Sequence, residues 1–479
     1  MPCDQVVAVD VGTSMIKALR LASDGTVLAR AALPAPADRA PGVDAMGQWE
    51  AVRQVLAEVA AGAPPALAGV VVTGQGDGLW RIDRDGQPQR AYLWNATEPA
   101  EVVGSWEADG TIERHFRATG TVLWPGTSAA LWRWLVGTDP DALRDTASVG
   151  TAKDWISYQL TGVHATDVTD GTIPFLDLAT GTHDPALVHA LGCDGLADLL
   201  PPVRTPGEIL APLTSTAAEA TGLPAGTPVI VGCLDLAAMV RGLGLSAPGD
   251  ALAVLGTTAT TVAISDHAPL DREPAGATVR LPGSDRFLRI MGAMSGTTTL
   301  EWFLDLHSYD GEDRYDRFWD DIAGVDQGIV LLPYLAGERA PFLAPDATGA
   351  ILGLTRHSTC AGIGRATVEG ITFSLRHGLE AVGAGDDALV LTGGGSSRPE
   401  WCQLVADVTG RAVLVDERGD VGVLGAASLV PGFEALAHRG VDARRYEPGP
   451  ASEELDQRYR RFVSLVEAFR PLWKELLPR

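Results

Sequence analysis

Residues 6–32 read VVAVDVGTSMIKALRLASDGTVLARAA. The unbroken apolar run over 6–9 is the pattern of a strand buried on both faces, ending at Asp10. Val11-Gly12-Thr13-Ser14 interrupts it as a tight turn, and residues 15–22 resume as a second strand. Asp24-Gly25 is a hairpin signal, with a third strand over 26–32. Much later, residues 252–264 read LAVLGTTATTVAI: a strand, the turn Gly256-Thr257-Thr258, and a strand. The two turns begin at Gly12 and Gly256, 244 positions apart, close to half the chain. Strand–turn–strand units this short also match by chance. What strengthens a duplication is the strand–helix alternation that follows each hairpin, the pattern of layered α/β domains.

Downstream of the first hairpin, residues 48–61 predict a helix with Val52, Val55, Leu56 and Val59 on one face. Residues 69–73 and 79–83 predict strands. In the second half, residues 388–392 predict a strand, followed by the loop Gly393-Gly394-Gly395-Ser396-Ser397. Ser397 to Glu400 has the S-x-x-E form of a capping box, with Pro399 in the first turn of a helix. Such a helix start, behind a glycine loop, offers free amides and a positive dipole end. Residues 452–477 predict a closing helix broken near Pro471. At 479 residues the chain exceeds one comfortable core, which predicts two domains. The expected boundary lies within 242–248, giving domains of 1–244 and 245–479.

Composition narrows the classes. Apolar residues at 46% and charged residues at 20% are those of a globular protein. No apolar run approaches the length of a membrane span, and the start of the chain carries neither a basic region nor a cleavable apolar segment. Cys3, Cys193, Cys233, Cys360 and Cys402 are odd in number and far apart, which argues against a disulfide framework or a zinc site. The expectation is a cytoplasmic protein. A formal charge of −24 disfavours nucleic-acid and anionic-membrane partners. The chain's lysines are Lys17, Lys153 and Lys474, so no Gly-Lys pair exists and a P-loop is excluded. Any nucleotide site must be built another way.

The first hairpin offers one. Asp10 ends a strand, Gly12 allows close backbone approach, Thr13 and Ser14 present hydroxyls and amides, and Lys17 follows. Such a bend can wrap triphosphate oxygens while Asp10 holds Mg²⁺. Taken alone, the same residues suit an ordinary glycine hairpin, whose aspartate caps the turn, better than a phosphate site.

Further motifs run along nearly the whole chain: Asp10-Val-Gly-Thr-Ser14, Thr73-Gly-Gln-Gly-Asp-Gly78, Lys153-Asp-Trp155 with Leu160-Thr-Gly162, and Gly232-Cys-Leu-Asp235. The series continues through Gly256-Thr-Thr258, Gly337-Glu-Arg-Ala-Pro341, Arg365-Ala-Thr-Val-Glu-Gly370, Gly393-Gly-Gly395 and Gly425-Ala-Ala427. Taken together and in this order, they resemble the FGGY family of carbohydrate kinases. The resemblance implies two ribonuclease-H-like domains of the actin-like ATPase type, with an active-site cleft between them. It implies ATP and Mg²⁺ as cofactors and a small sugar or polyol as substrate, and leaves a homodimer open.

By the same resemblance Asp235 is the catalytic base and a substrate contact. Asp10 is the metal residue, with Asp154 a second acid near the metal. Gly12, Thr13, Ser14, Lys17, Gly256, Thr257 and Thr258 hold phosphates, and Gly393, Gly394, Gly395 and Ser396 contact adenosine. Gln75, Asp77 and Trp94 meet the acceptor, with Trp80 and Trp124 as further aromatic candidates. Glycerol kinases carry Arg-Glu where this chain has Gly76-Asp77. Xylulose kinases typically read Trp-Asn-Asp-Gly-Arg where this chain has Trp94-Asn-Ala-Thr-Glu98. The 75–83 stretch is most similar to erythritol kinases, then L-xylulose kinases. The expected reaction is γ-phosphoryl transfer to a small polyol or ketose. An actin-like nucleotide switch and a non-catalytic sugar sensor are the competing classes.

Overall fold

The computed structural model describes residues 4–36, 42–171, 173–437 and 443–476. Cys3 and Leu477 lie outside the described residues, as does the side chain of Lys474. Two mixed sheets carry the molecule, and their strands are labelled here in chain order. The first holds β1 (Gln5–Val11), β2 (Met15–Ala22), β3 (Val27–Pro34), β4 (Gly69–Gly74), β5 (Ile209–Pro212) and β6 (Pro228–Ile230). The second holds β7 (Ala251–Leu255), β8 (Ala259–Ser265), β9 (Ala277–Arg280), β10 (Phe287–Gly292), β11 (Leu389–Thr392), β12 (Val413–Asp416) and β13 (Ala443–Tyr446).

Their orders are β3-β2-β1-β4-β6-β5 and β9-β10-β8-β7-β11-β12-β13. In each, a hairpin strand pairs antiparallel with its partner and parallel with the next strand inward. β1 does so with β2 and β4, and β7 with β8 and β11. β4 then pairs parallel with β6, as β11 does with β12. The repeat implied by the two turns is therefore a repeat of sheet topology. The predicted strand over 79–83 begins at Trp80 and stands outside both sheets, paired with Thr146–Gly150.

Side-chain alternation sorts the core. Val7, Val9 and Val11 point to one face of β1, against Val52, Val55, Leu56 and Val59 of the helix Ala45–Ala60. Val6 and Ala8 point to the other, into a buried cluster that also takes in Leu252, Val262 and Val390 of the second sheet. Between the sheets in that cluster lie the helices Asp235–Gly242 and Val421–Ala427. The lobes thus share apolar core at the base of the cleft.

Two local expectations fail. The capping box at Ser397 is absent: Gly394–Ser397 forms a 3-10 turn in which the Ser397 hydroxyl donates to Gly394 O at 2.7 Å. That leaves Arg398, without a side-chain cap, to open the helix Pro399–Thr409. The closing helix, Ser452–Leu476, runs straight through Pro471. Trp473, 1% exposed, donates Nε1–H to Thr348 O and packs on Tyr334 and Phe342, and this burial secures the last turn against the lost backbone bond. Among the described residues, Cys193, Cys233, Cys360 and Cys402 are free thiols, and no helix is long and apolar enough to cross a membrane.

Candidate active site

The two hairpins close alike. Gly12 N–H donates to Met15 O, and Gly256 N–H to Thr258 O, each at 3.1 Å. A Cβ on Gly12 would meet Met15 O at 2.8 Å, so the turn requires glycine. Thr13, at the tip, donates its hydroxyl to Gln75 Oε1 and accepts from Trp94 Nε1–H, both at 3.1 Å. Trp124 in turn donates Nε1–H to Trp94 O at 3.0 Å. The first hairpin is therefore tied directly to the end of β4 and to two indoles.

Beyond β6 the chain passes Gly232, where a Cβ would collide with Val72 O, and turns into the helix Asp235–Gly242. Asp235 stands at the start of that helix, its Oδ1 accepting from Leu236 N–H at 2.6 Å. A cavity of about 270 Å³ opens there between the lobes. The first lobe lines it with Thr13, Gln75, Asp77, Trp94, Trp124 and Asp235, the second with Thr258, Thr260 and Arg339. Thr13 and Thr258, one from each bend, share this wall with Asp235.

Electrostatics mark the same residues. Burial, reinforced by the charge of Asp10, pushes the Asp235 carboxyl up to about 8, against the opposing Leu236 amide. Asp10 is raised to about 6, chiefly by burial, which Lys17 partly offsets. Its Oδ1 is enclosed without a partner. Asp77, 7% exposed and at φ +57°, accepts from Ser128 N–H on Oδ1, while Oδ2 has no partner. Burial holds its carboxyl well above the usual range.

The other sequence candidates fall around this centre. Gly12, Ser14, Gly256 and Thr257 belong to the hairpins that present Thr13 and Thr258. Gly393, at φ +93°, lies so close to the end of β7 that a Cβ would sit 2.7 Å from Leu255 O, which sets Gly394, Gly395 and Ser396 beside the second hairpin. Lys17 faces Asp10 across the β1–β2 pair, and its ammonium binds Asp420 Oδ1 at 3.2 Å. Trp80 is buried in the first lobe's core, away from the cavity.

Asp154 is also outside the cavity. Lys153 Nζ meets Asp154 Oδ1 at 2.6 Å, Asp167 Oδ2 at 2.7 Å and Asp170 Oδ2 at 2.8 Å, all buried. Burial opposes the charge on Lys153, but the three carboxylates outweigh it and hold its pKa well above the usual lysine value. Burial raises Asp170 to about 7 even so. Asp167 Oδ1 accepts from the Thr169 hydroxyl at 2.6 Å, and Thr169 Oγ1 accepts from Leu234 N–H at 2.8 Å. The cluster thereby reaches the residue next to Asp235. Sequence reasoning missed this cluster and Arg339; the only signal for Arg339 was its place in the Gly337–Pro341 motif.

A model of the N-terminal domain of the FGGY family of carbohydrate kinases matches residues 5–242, and one of its C-terminal domain matches residues 251–430. The chain is 31% identical over 469 residues to the xylulose kinase of Streptomyces rubiginosus, covering 94% of this chain and 93% of that one. It is 28% identical over 450 residues to the erythritol kinase of Brucella abortus (strain 2308), covering 89% and 86%. Among solved structures, the xylulose kinase from Rhodospirillum rubrum matches with a TM-score of 0.87 at 26% identity, over 98% of this chain and 99% of that one.

Proposed function

The chain belongs to the FGGY family of carbohydrate kinases, and on that footing we propose that it transfers the γ-phosphoryl group of ATP to a hydroxyl of a small neutral polyol or ketose. An erythritol-like tetritol is favoured, with L-xylulose or another pentulose or pentitol next. The observation that carries this reading is the shared cavity wall, where Asp235 stands with Thr13 of one hairpin and Thr258 of the other. Gln75, Asp77 and Trp94 line the same space and supply amide, carboxyl and indole surface for vicinal hydroxyls and C–H faces.

Asp235 orients the acceptor hydroxyl and takes its proton as the bond to phosphorus forms, late in a loose transition state. A carboxyl raised to about 8 binds an abstracted proton more strongly than an ordinary carboxylate, and its ionised fraction grows as pH approaches that value. Amides and hydroxyls of Gly12, Thr13 and Ser14, with Gly256, Thr257 and Thr258 opposite, hold phosphate oxygens, and Gly393 to Ser396 back the adenosine. Lys17 exchanges Asp420 for phosphate. Asp10 suits a divalent cation, since its Oδ1 is enclosed and unpartnered. Mg²⁺ there supplies charge neutralisation on the phosphates.

We assign domains of 1–244 and 245–479 and a cytoplasmic location to the same reading. An ADP-release screen over erythritol, threitol, L- and D-xylulose, ribulose, ribitol, xylitol and glycerol tests it. Turnover with a tetritol or pentulose and none with glycerol is expected. ADP release indifferent to every acceptor would remove the kinase assignment of this cavity.

A further inference from the structure

Arg339 is the cation of the acceptor cavity, and it comes from the second lobe. Its backbone is fixed by its neighbour. Glu338, 1% exposed, accepts on Oε1 from Met294 N–H at 2.8 Å, Arg339 N–H at 2.9 Å and Ala340 N–H at 3.4 Å, while its Oε2 meets the Ser295 hydroxyl at 3.5 Å. The side chain is fixed too. Arg339 Nε–H donates to Gly292 O at 2.7 Å. The guanidinium lies 5.0 Å from the Trp94 ring centroid and 5.7 Å from that of Trp124. Both indoles belong to the first lobe, and Trp94 is bonded through Thr13 to Gln75. Among the described residues no carboxylate closes an ion pair with Arg339. Of the acids that act on it, Glu338 beside it in the loop comes first, and Asp77, whose Oδ2 has no partner, acts from the other lobe across the cavity.

A held guanidinium fork and a half-used carboxyl, facing one small cavity from opposite lobes, are complementary to neighbouring hydroxyls: one group donates and the other accepts. Asp77 and Asp235 line the space that a substrate carboxylate would have to share with Arg339, and their acceptor oxygens match hydroxyls, which donate as well as accept, better than an oxyanion that only accepts. We propose that Arg339 is a specificity-determining residue of the acceptor site, gripping one hydroxyl of a neutral vicinal diol while Asp77 holds the next. The second lobe then senses acceptor occupancy directly, and its contact with Trp94 passes that information to the Thr13 hairpin. This inference rests on the kinase reading of the cavity and deepens it.

The test uses full-length protein with erythritol, or with L-xylulose if the screen ranks it higher. Arg339→Met should raise the acceptor KM by roughly tenfold or more, with kcat within about threefold and the ATP dissociation constant, measured without acceptor, unchanged. Arg339→Lys keeps the charge but loses the planar fork, and should leave most of that deficit. Asp77→Asn combined with Arg339→Met should fall short of the product of the single effects. Acceptor KM values unchanged in both Arg339 variants would overturn the proposal, as would D-gluconate turned over as well as the neutral acceptor. If Arg339→Met fails to fold, Arg339→Lys decides. If the wild type turns over no acceptor, the kinase reading fails by itself. Acceptor titration followed by tryptophan emission still decides this inference, which requires weaker binding in Arg339→Lys and is refuted by equal binding.

Discussion

At the scale of single residues, the account turns on carboxyls whose protonation the fold has shifted. Asp235 is raised to about 8, first by burial and then by Asp10. A base works only when ionised, so kcat/KM for the acceptor should climb with pH toward about 8 and level off above it. In the protein without Mg²⁺ and ATP, Asp10→Asn removes the neighbouring negative charge, so the Asp235 carboxyl, followed by carbon-13 NMR, should titrate at lower pH. An unmoved titration would mean that Asp10 does not act on it. The same shift has a consequence for stability. The unfolded carboxyl titrates near ~3.9 while the folded one holds its proton to about 8, so stability is lost as pH rises between these values. Asp235→Asn should therefore melt above wild type at pH ~7 and match it near pH ~3. Equal melting at both would mean that the carboxyl carries no such burden.

At the scale of elements, the hairpins were legible because buried strands and glycine turns are local signals. An apolar run broken by Gly-Thr-Ser or Gly-Thr-Thr leaves little choice of conformation, and β1–β2 and β7–β8 follow. The helix start near Ser397 was misread because a 3-10 turn claimed the hydroxyl that a cap would have used. The Lys153 cluster was illegible for a different reason. Asp154 is adjacent in sequence, but Asp167 comes from the strand Thr166–Asp167 and Asp170 from the short helix Val168–Gly171, and only packing brings all three to one ammonium. Arg339 too acquires meaning only against indoles more than 200 positions away. Lys153→Met should leave three buried carboxylates without their cation and cost about 3–5 kcal/mol in urea unfolding at neutral pH. Because Asp170, at about 7, takes up a proton as pH falls, the deficit should shrink toward acid. A deficit independent of pH would assign the loss to packing.

At the scale of the molecule, two α/β lobes are joined where the helices Asp235–Gly242 and Val421–Ala427 cross. The contact is backbone on backbone: a Cβ on Gly425 would collide with Ala238 O, and one on Gly242 with Val421 O. Lys17 and Arg30 of the first lobe also meet Asp420 at the start of the second helix, at 3.2 Å and 3.1 Å. Gly425→Val should wedge this crossing, lowering the melting temperature and the acceptor-dependent rate together. A variant with a normal melt and a normal rate would show that the crossing tolerates separation. Asp235, the base we propose, heads one of these two helices, so on that reading lobe geometry and chemistry are one problem. The most direct test of that unity is single-turnover formation of phosphorylated acceptor by Asp235→Asn with ATP bound. The account predicts unaltered ATP affinity and a rate about 10²–10⁴ below wild type; wild-type phosphorylation by this variant would contradict it.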